Sequence, residues 1–450
     1  MTRLSPLFRP LSVLTFSVIY MLSVFAVSSS FATPRMSLTA GTPCVGCHYS
    51  ANGGGGRTEL GWGSMNKVGA LNHKSIGLTA LHEQESNLIA DFASVGFDVR
   101  IQGARLGRPS VNDGEVEYPD LSWIPMQFQP YLALTPLEGL TLYGSVMPGP
   151  EATNGDLSTQ VYAGMSAYEW WGSYSFGATA PTLRVGKFQP TFGIRHDDHT
   201  ILLRGDALKR RFPIIPPNFT EIGAELSYQP QRWLRVELGG FSTTHLQEVF
   251  DSRAIDEPIN LNGYAVVSRF TFLPQFTLGG RGGEDGFGDD DFGGDDFGDD
   301  FGDDFGAPPS SEPTLPTVFN TWFGASSYLS NEFHMLNAFL GVGNNKGLSG
   351  VAELSFRDNP NIGQKTFRQL NTLLGLTYAL KDWLVFHARV ERGQTQRLTE
   401  TLDEVAVAWQ YVAGVEFFPV PGVELRPEYR LVDTFDYRFG QTTFQVHLFY

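Results

Sequence analysis

The residues with the clearest chemistry are Cys44, Cys47 and His48, which lie in the sequence Cys-Val-Gly-Cys-His and include both cysteines of the 450-residue chain. The spacing Cys-x-x-Cys-His is the attachment sequence of a c-type haem. Two thiols three residues apart share one side of a turn, so each can form a thioether with a vinyl group, and the adjacent histidine can bind the iron. A redox-active pair is one alternative, but such pairs usually lie beside a βαβ pattern and none follows here. A structural disulfide is the other, but so short a loop would restrict the unfolded chain very little and so add little stability. The spacing therefore predicts one covalently attached haem c, with His48 as proximal ligand.

Three residues are candidates for a second axial ligand of that iron, and one further methionine lies upstream of the motif. Met65, His73 and His82 follow the motif, and Met36 precedes it. A histidine or methionine ligand would give a six-coordinate iron suited to electron transfer. Without a second ligand the iron would be open to small molecules, as in an enzyme. We expect an electron-transfer protein rather than an enzyme, and the pattern alone does not choose among these residues.

The N-terminus predicts export from the cytoplasm. Arg3 and Arg9 precede an apolar run at residues 11–27, and small residues follow up to Ala32. This order is typical of a secretory signal peptide, here residues 1–32, although an uncleaved membrane anchor has a related pattern. Export agrees with the cysteine motif, because bacteria attach c-type haem outside the cytoplasm.

The remainder of the chain alternates polar and apolar residues. Aromatic residues make up 13% of the sequence and charged residues 18%, below the usual ~25%. Residues 221–228, 384–391 and 423–431 each place apolar side chains at every second position, with charged side chains between them. A period of two with one apolar face predicts β-strands. After the N-terminal run, no stretch reaches the ~18 apolar residues of a membrane-spanning helix.

Strands with one apolar face can form a soluble sandwich with those faces inside, or a membrane barrel with those faces outside. A barrel is favoured because the strands are about 9–12 residues long, enough to cross a bilayer at a tilt. Their opposite faces carry charges of both signs, and the chain ends in an alternating strand that closes on Tyr450. We predict an all-β fold, a transmembrane antiparallel β-barrel of about 16 strands over residues 91–450, in the bacterial outer membrane.

This barrel carries further expectations. Leu425 should face lipid, and Glu424 should face the lumen, where reversal of its charge should be tolerated. Short turns such as residues 419–422 should lie on the periplasmic side, whereas residues 392–404 and 432–440 should form longer loops on the outer side.

One segment, residues 282–306, departs from the strand pattern. It repeats Phe-Gly-Asp-Asp and holds 11 acidic residues and no basic ones, so repulsion should keep it disordered. It is either a solvated loop or a weak, multisite trap for hard cations such as Ca²⁺ or ferrous iron, and it would attract an extracellular metal ion if it emerged outside. The formal net charge of −16 argues against nucleic acid as a partner.

Residues 33–90, which carry the cysteine motif, are too few to build a core around a haem by themselves. A lumen of about 16 strands can hold a plug, so we expect this segment inside the barrel or at its periplasmic mouth. In a second polar cluster at residues 186–199, His196 and His199 flank two aspartates. These could bind a metal ion, but an inward-folded polar loop is the favoured interpretation.

A haem-attachment motif directly after a signal peptide, followed by a barrel, resembles the outer-membrane mono-haem cytochrome–porin fusions found in iron-oxidising bacteria. The resemblance covers the whole chain in architecture and extends residue by residue to Cys44, Cys47 and His48. It implies an electron carrier, surrounded by outer-membrane lipid, between an extracellular donor or acceptor, iron being one candidate, and a periplasmic carrier. The alternative is a passive porin in which the haem segment is a structural or regulatory plug.

Overall fold

The computed structural model describes residues 34–50, 52–105, 110–112, 115–117, 121–147, 167–177, 180–196, 201, 203, 219–252, 261, 263–278, 316–362, 365–398, 403–434 and 438–450. The signal peptide and the acidic insert that the sequence predicts, residues 1–32 and 282–306, lie outside these ranges.

Helices are short and concentrated before the barrel. In the described residues they are α1 (Pro34–Ala40), α2 (Cys44–Cys47), α3 (Glu59–Met65), a 3₁₀ turn (His73–Ile76), α4 (Thr79–His82) and α5 (Thr244–Ser252). None of these helices has the length and apolar character needed to cross a membrane.

Strands make up most of the described chain. They are β1 (Leu88–Ala90), β2 (Ala93–Arg105), β3 (Ser110–Asn112), β4 (Glu115–Glu117), β5 (Leu121–Leu137), β6 (Leu140–Met147), β7 (Ala167–Ser175), β8 (Thr182–Phe188), β9 (Glu221–Gln231), β10 (Leu234–Ser242), β11 (Tyr264–Phe272), β12 (Gln275–Leu278), β13 (Thr317–Leu329), β14 (His334–Asn344), β15 (Leu348–Ile362), β16 (Lys365–Lys381), β17 (Leu384–Leu398), β18 (Asp403–Val420), β19 (Val423–Asp433) and β20 (Arg438–Phe449).

The sheet closes on itself. Each long strand pairs with its neighbours in the chain in antiparallel fashion, and β2 pairs with both β5 and β20, which joins the first long strand to the last. Strands β11 and β12 both pair with β13 and form one interrupted strand of the wall. Strand β1 pairs only with the start of β2, and β3 and β4 form a separate hairpin. The result is a closed antiparallel barrel of 16 strands, which confirms the predicted fold class and strand number.

The two faces of each strand have opposite character, as the alternation predicts. On β9, Ile222 and Leu226 are 56% and 42% exposed on the outer surface, whereas Glu221 and Glu225 are 1% and 3% exposed and point inward. On β16, Leu374 is 61% exposed. An apolar outer belt around a polar lumen is the arrangement of a barrel that lies in lipid.

Leu425 and Glu424 also follow this pattern, but the surroundings of Glu424 differ from expectation. Leu425 points outward and Glu424 inward, as predicted. Glu424 is 8% exposed, and its carboxylate lies 2.9 Å from Nδ1 of His447. The structure therefore argues against the expected tolerance of charge reversal, because a cation at position 424 would lose this partner while remaining buried.

One end of the barrel carries short turns. Gly139 and Gly422 occupy such turns with φ values of 78° and 80°, a backbone conformation that suits glycine. Residues 93 and 450 lie at this end, and so do Leu278 and Thr317, which flank the acidic insert. Apart from the connection that holds this insert, the longest connections, such as residues 148–166 and 189–220, lie at the other end.

Two loops predicted at that other end are shorter than expected. Strand β17 continues to Leu398 and β18 begins at Asp403, so the connection is residues 399–402 rather than 392–404. Similarly, β19 continues to Asp433 and β20 begins at Arg438, where a loop at 432–440 was expected. Residues 392–398 are mostly polar on both faces, so the alternation of polar and apolar residues does not predict a strand there. Backbone pairing with β18 nevertheless continues through them.

Candidate functional site

The cysteine motif forms a single helical turn, α2. Pro43 precedes the turn with φ −64°, and the backbone N–H of His48 donates to the carbonyl of Cys44 at 2.9 Å. Residues three apart in such a turn lie on the same face, so both thiols face one side and the histidine follows immediately. Neither cysteine forms a disulfide.

A run of glycines folds the chain back over this turn. Gly53, Gly54 and Gly55 have φ values of 75°, 68° and 63°, in the left-handed region that residues with a Cβ rarely adopt. A Cβ placed on Gly53 would lie 3.7 Å from Sγ of Cys44 and 3.9 Å from Cδ2 of His48. The glycine run therefore lies in contact distance of both the first thiol and the imidazole.

Helix α3 packs directly behind the second cysteine. The Thr58 hydroxyl caps α3 by accepting a hydrogen bond from Gly61 N–H at 3.2 Å, and it donates to the carbonyl of Gly46 at 2.8 Å. A Cβ on Gly61 would lie 2.0 Å from the carbonyl oxygen of Cys47. Only a glycine permits this approach, so position 61 fixes how closely α3 supports the motif.

The N-terminal segment, residues 34–90, is bound to several sides of the lumen. Arg57 forms a buried ion pair with Asp98 on β2 at 3.1 Å. Asn320 on β13 donates to the carbonyl of Leu38 at 2.8 Å, and Arg35 pairs with Glu416 on β18. These contacts reach strands far apart around the barrel, so the segment spans this part of the lumen.

A second segment enters the lumen from the other end. Residues 189–196, here called the inner loop, donate backbone N–H groups to Glu225 on β9, Ser326 on β13 and Glu353 on β15 at 2.8–3.2 Å. Arg195 on this loop donates to the carbonyl of Gly53 at 3.1 Å. The inner loop therefore crosses the lumen and contacts the N-terminal segment.

The inner loop includes one of the two histidines considered as metal ligands. His196 lies 2.7 Å from the Glu353 carboxylate, and His199 lies outside the described residues. Within the ranges that the structure describes, no group of three His, Cys, Asp or Glu side chains could hold a metal ion. The observed contacts are those of an inward-folded polar loop.

Cys44, Cys47 and His48 line one cavity of about 210 Å³. Its walls combine cations with apolar side chains: Met36, Arg57, Arg100, Ile194, Arg195, Arg235, Arg269, Trp322 and Phe339. Two unpaired thiols on one face, an adjacent imidazole and a partly apolar cavity beside them are the donor set and surroundings of a c-type haem. The residues present therefore fit this group.

Neither thiol has the lowered pKa of an attacking thiol in a redox-active pair. Burial raises the pKa of the Cys44 thiol, although Arg269 and Arg235 oppose this shift. Burial also raises the pKa of Cys47. A redox-active Cys-x-x-Cys pair has an attacking thiol with a lowered pKa, so this site lacks the electrostatics of that alternative.

None of the three candidate second ligands, Met65, His73 and His82, lines the cavity of the motif. Met36, on α1, lines the cavity of the motif. Met65 is buried against apolar residues of the barrel wall, and Nε2 of His73 lies 3.1 Å from the carbonyl of Pro421. His82, at the end of α4, is exposed. Sequence spacing could not single out Met36, because it reaches the cavity only through the docking of α1 on β13, β14 and β15.

Comparison with known proteins bears on the barrel. No protein-family model and no curated protein matches the sequence. Among solved structures, the chain is similar to the outer membrane channel DcaP of Acinetobacter baumannii, with 11% identity, 81% of this chain and 99% of that chain covered, and a TM-score of 0.47. It is also similar to OmpT of Vibrio cholerae (10% identity, 81% and 100% covered, TM-score 0.44) and OprB of Pseudomonas putida (12% identity, 80% and 94% covered, TM-score 0.41). At this identity the likeness concerns the barrel fold alone.

Proposed function

We propose that this chain is an outer-membrane mono-haem cytochrome. It would carry electrons between an extracellular donor or acceptor and a periplasmic carrier. The observation that supports this most is that Cys44, Cys47 and His48 line one cavity between the N-terminal segment, the inner loop and the barrel wall. The apolar outer belt supports a surrounding bilayer, and closed antiparallel barrels with such belts are typical of the bacterial outer membrane.

Each residue of the site has its own task in this proposal. The sulfurs of Cys44 and Cys47 would hold the haem through thioether bonds to its two vinyl groups, and the His48 imidazole would bind its iron. Met36 would supply the second ligand, in preference to Met65, His73 and His82, because it lines the same cavity. The haem supplies a one-electron redox centre when bound.

The barrel sets where partners would meet the site. The N-terminal segment contacts the short-turn end, which faces the periplasm in outer-membrane barrels, so a soluble periplasmic carrier would dock there. A donor or acceptor such as a metal ion would approach from the other end, past the inner loop. The flanks of the acidic insert lie at the short-turn end, so its charge does not support attraction of an extracellular ion.

Haem staining of folded barrels tests the attachment. The wild-type chain should carry haem that survives a denaturing gel. The Cys44→Ala, Cys47→Ala double variant should keep the heat-modifiable migration of a folded barrel and lose the stain. Absence of haem from the wild type, or covalent haem in the double variant, would reject the cytochrome and leave the passive porin with a structural plug.

Carbon monoxide binding tests the second ligand. Reduced wild-type protein should not bind carbon monoxide, and Met36→Ala should, because truncation opens the sixth position of the iron. Met65→Ala is the matched control and should behave as the wild type. Carbon monoxide binding by the wild type would instead favour an enzyme with an open iron, and equal behaviour of the two variants would refute Met36 as the ligand.

A further inference from the structure

The cavity beside the thiols has a basic wall. Five arginines line it, contributed by the N-terminal segment, β2, the inner loop, β10 and β11. Among the described residues, Asp98 is the one carboxylate that lines it. The chain has a formal net charge of −16, yet these positively charged side chains lie together at one place inside the lumen.

Two of these arginines share a single carboxylate. Nε of Arg235 lies 2.6 Å from Oε1 of Glu237, and Nη2 of Arg269 lies 3.0 Å from the same oxygen. Arg235 and Glu237 are 7% and 1% exposed. Glu237 does not line the cavity, so it holds both guanidinium groups from behind. A buried and a partly buried cation on one carboxylate leave a positive charge that favours an anion in front of them.

The other lining arginines are engaged differently. Arg57 pairs with Asp98, which also lies 3.0 Å from Nε2 of His447. Arg195 donates to a backbone carbonyl of the N-terminal segment. Arg235 and Arg269 differ from these two arginines in that they share one carboxylate.

The other residues that line the cavity indicate which class of anion would bind there. Ile194, Trp322 and Phe339 also line it, so its ligand combines an apolar body with anionic groups. A small inorganic anion would gain nothing from these walls. Arg235 and Arg269 line the same cavity as Cys44, so a ligand joined to that sulfur would bring its anionic groups to them.

We propose that Arg235 and Arg269, held by Glu237, form the carboxylate-binding site of this cavity, and that their ligand is the propionate carboxylates of the haem attached at Cys44 and Cys47. This inference rests on the proposed function. Arginine suits the role, because its guanidinium group binds carboxylates through paired hydrogen bonds.

The midpoint potential of the haem, measured by spectroelectrochemistry on the full chain, tests this. Arg235→Gln should shift the potential to more negative values, because a cation near the haem favours the reduced form. Glu237→Gln should shift it the opposite way. Arg389→Gln is the matched control. Nε of Arg389 lies 2.7 Å from Oε1 of Glu391 on β17. The two residues are two positions apart, as Arg235 and Glu237 are, but they do not line the cavity. The potential of Arg389→Gln should equal that of the wild type.

The pH dependence of the potential separates a propionate contact from a distant charge. Between about pH 5 and 9, above the ordinary carboxyl pKa of ~4.3, Arg235→Gln should show a pH-dependent difference from the wild type, because an unpaired propionate titrates at higher pH. Asp98, His447 and the remaining arginines face the same cavity in both proteins. The potential of the variant is therefore compared with that of the wild type at each pH, because these groups contribute to both curves. Arg235→Lys should show the same effect in weaker form and serves if Arg235→Gln does not assemble.

Three outcomes overturn the inference. A wild-type chain without covalent haem would reject it together with the proposed function. Covalent haem with an unchanged potential in Arg235→Gln would reject the inference alone. A shift of equal size at every pH would also reject it, because it would mean that the arginine acts from a distance rather than on a propionate.

Discussion

Glycine decides the local geometry of the candidate site. The glycine run brings its backbone over Cys44 and His48, and Gly61 lets α3 approach the carbonyl of Cys47. Neither arrangement would tolerate a larger residue, because the run needs positive φ values and position 61 has no space. The thiols and the imidazole share a cavity wall because these residues lack side chains.

Gly61→Ala should therefore loosen the N-terminal segment. Its Cβ would overlap the Cys47 carbonyl, and overpacking of this kind costs ~1–3 kcal/mol. Limited proteolysis of folded barrels should cleave the segment about tenfold faster, in proportion to its open population. Gly63→Ala, on the same helix with nothing within 4 Å of the new Cβ, should leave cleavage unchanged or slow it; equal acceleration in both variants would contradict the packing described.

The sequence predicts some of these residues and misses others for clear reasons. The cysteine motif is local, so its spacing names Cys44, Cys47 and His48 directly. Met36 and Arg235 reach the same cavity from α1 and β10, and no local pattern records that meeting. Likewise, alternation predicts that Glu424 points inward but not that His447 lies against it.

Strands are the elements in which sequence and structure agree best. An apolar residue at every second position requires one dry face, and the outward exposure of Ile222, Leu226 and Leu374 follows it. Strand ends agree less well, because residues 392–398 and 432–433 are paired in the sheet although hydropathy does not mark them. Backbone hydrogen bonds, which any residue can form, extend these strands beyond the apolar belt.

Leu374 offers a test of the lipid-facing assignment. It lies near the middle of β16 and is 61% exposed, whereas its neighbour Leu373 is 1% exposed and packs inside. Leu374→Arg should cost ~2–4 kcal/mol of folding free energy in lipid vesicles, because it would place a charge near the bilayer midplane. Leu374→Val, measured in the same titration, should stay close to the wild type. A wild-type stability for Leu374→Arg would mean that this face does not meet lipid.

For the molecule as a whole, the barrel and the N-terminal segment depend on each other. The segment is short, and its buried contacts are largely with the lumen wall, among them Arg57 with Asp98, Asn320 with Leu38, and Met65 with Phe418. The wall in turn encloses a lumen that the segment and the inner loop both cross. A closed barrel could be predicted from the strand pattern, but the seating of the segment could not, because it depends on contacts between residues up to 381 positions apart.

Electron transfer across liposomes distinguishes a haem-bearing electron carrier from a passive porin. Liposomes carrying the full chain should pass electrons from external ferrous iron to a trapped acceptor while leaking little sugar, because the segment proposed to hold the haem also crosses the lumen. Deletion of residues 33–90 should reverse both properties, and the Cys44→Ala, Cys47→Ala variant should lose electron transfer without gaining leakage. Rapid sugar entry through the intact chain, with no reduction of the trapped acceptor by any external donor, would contradict the account and identify a passive porin.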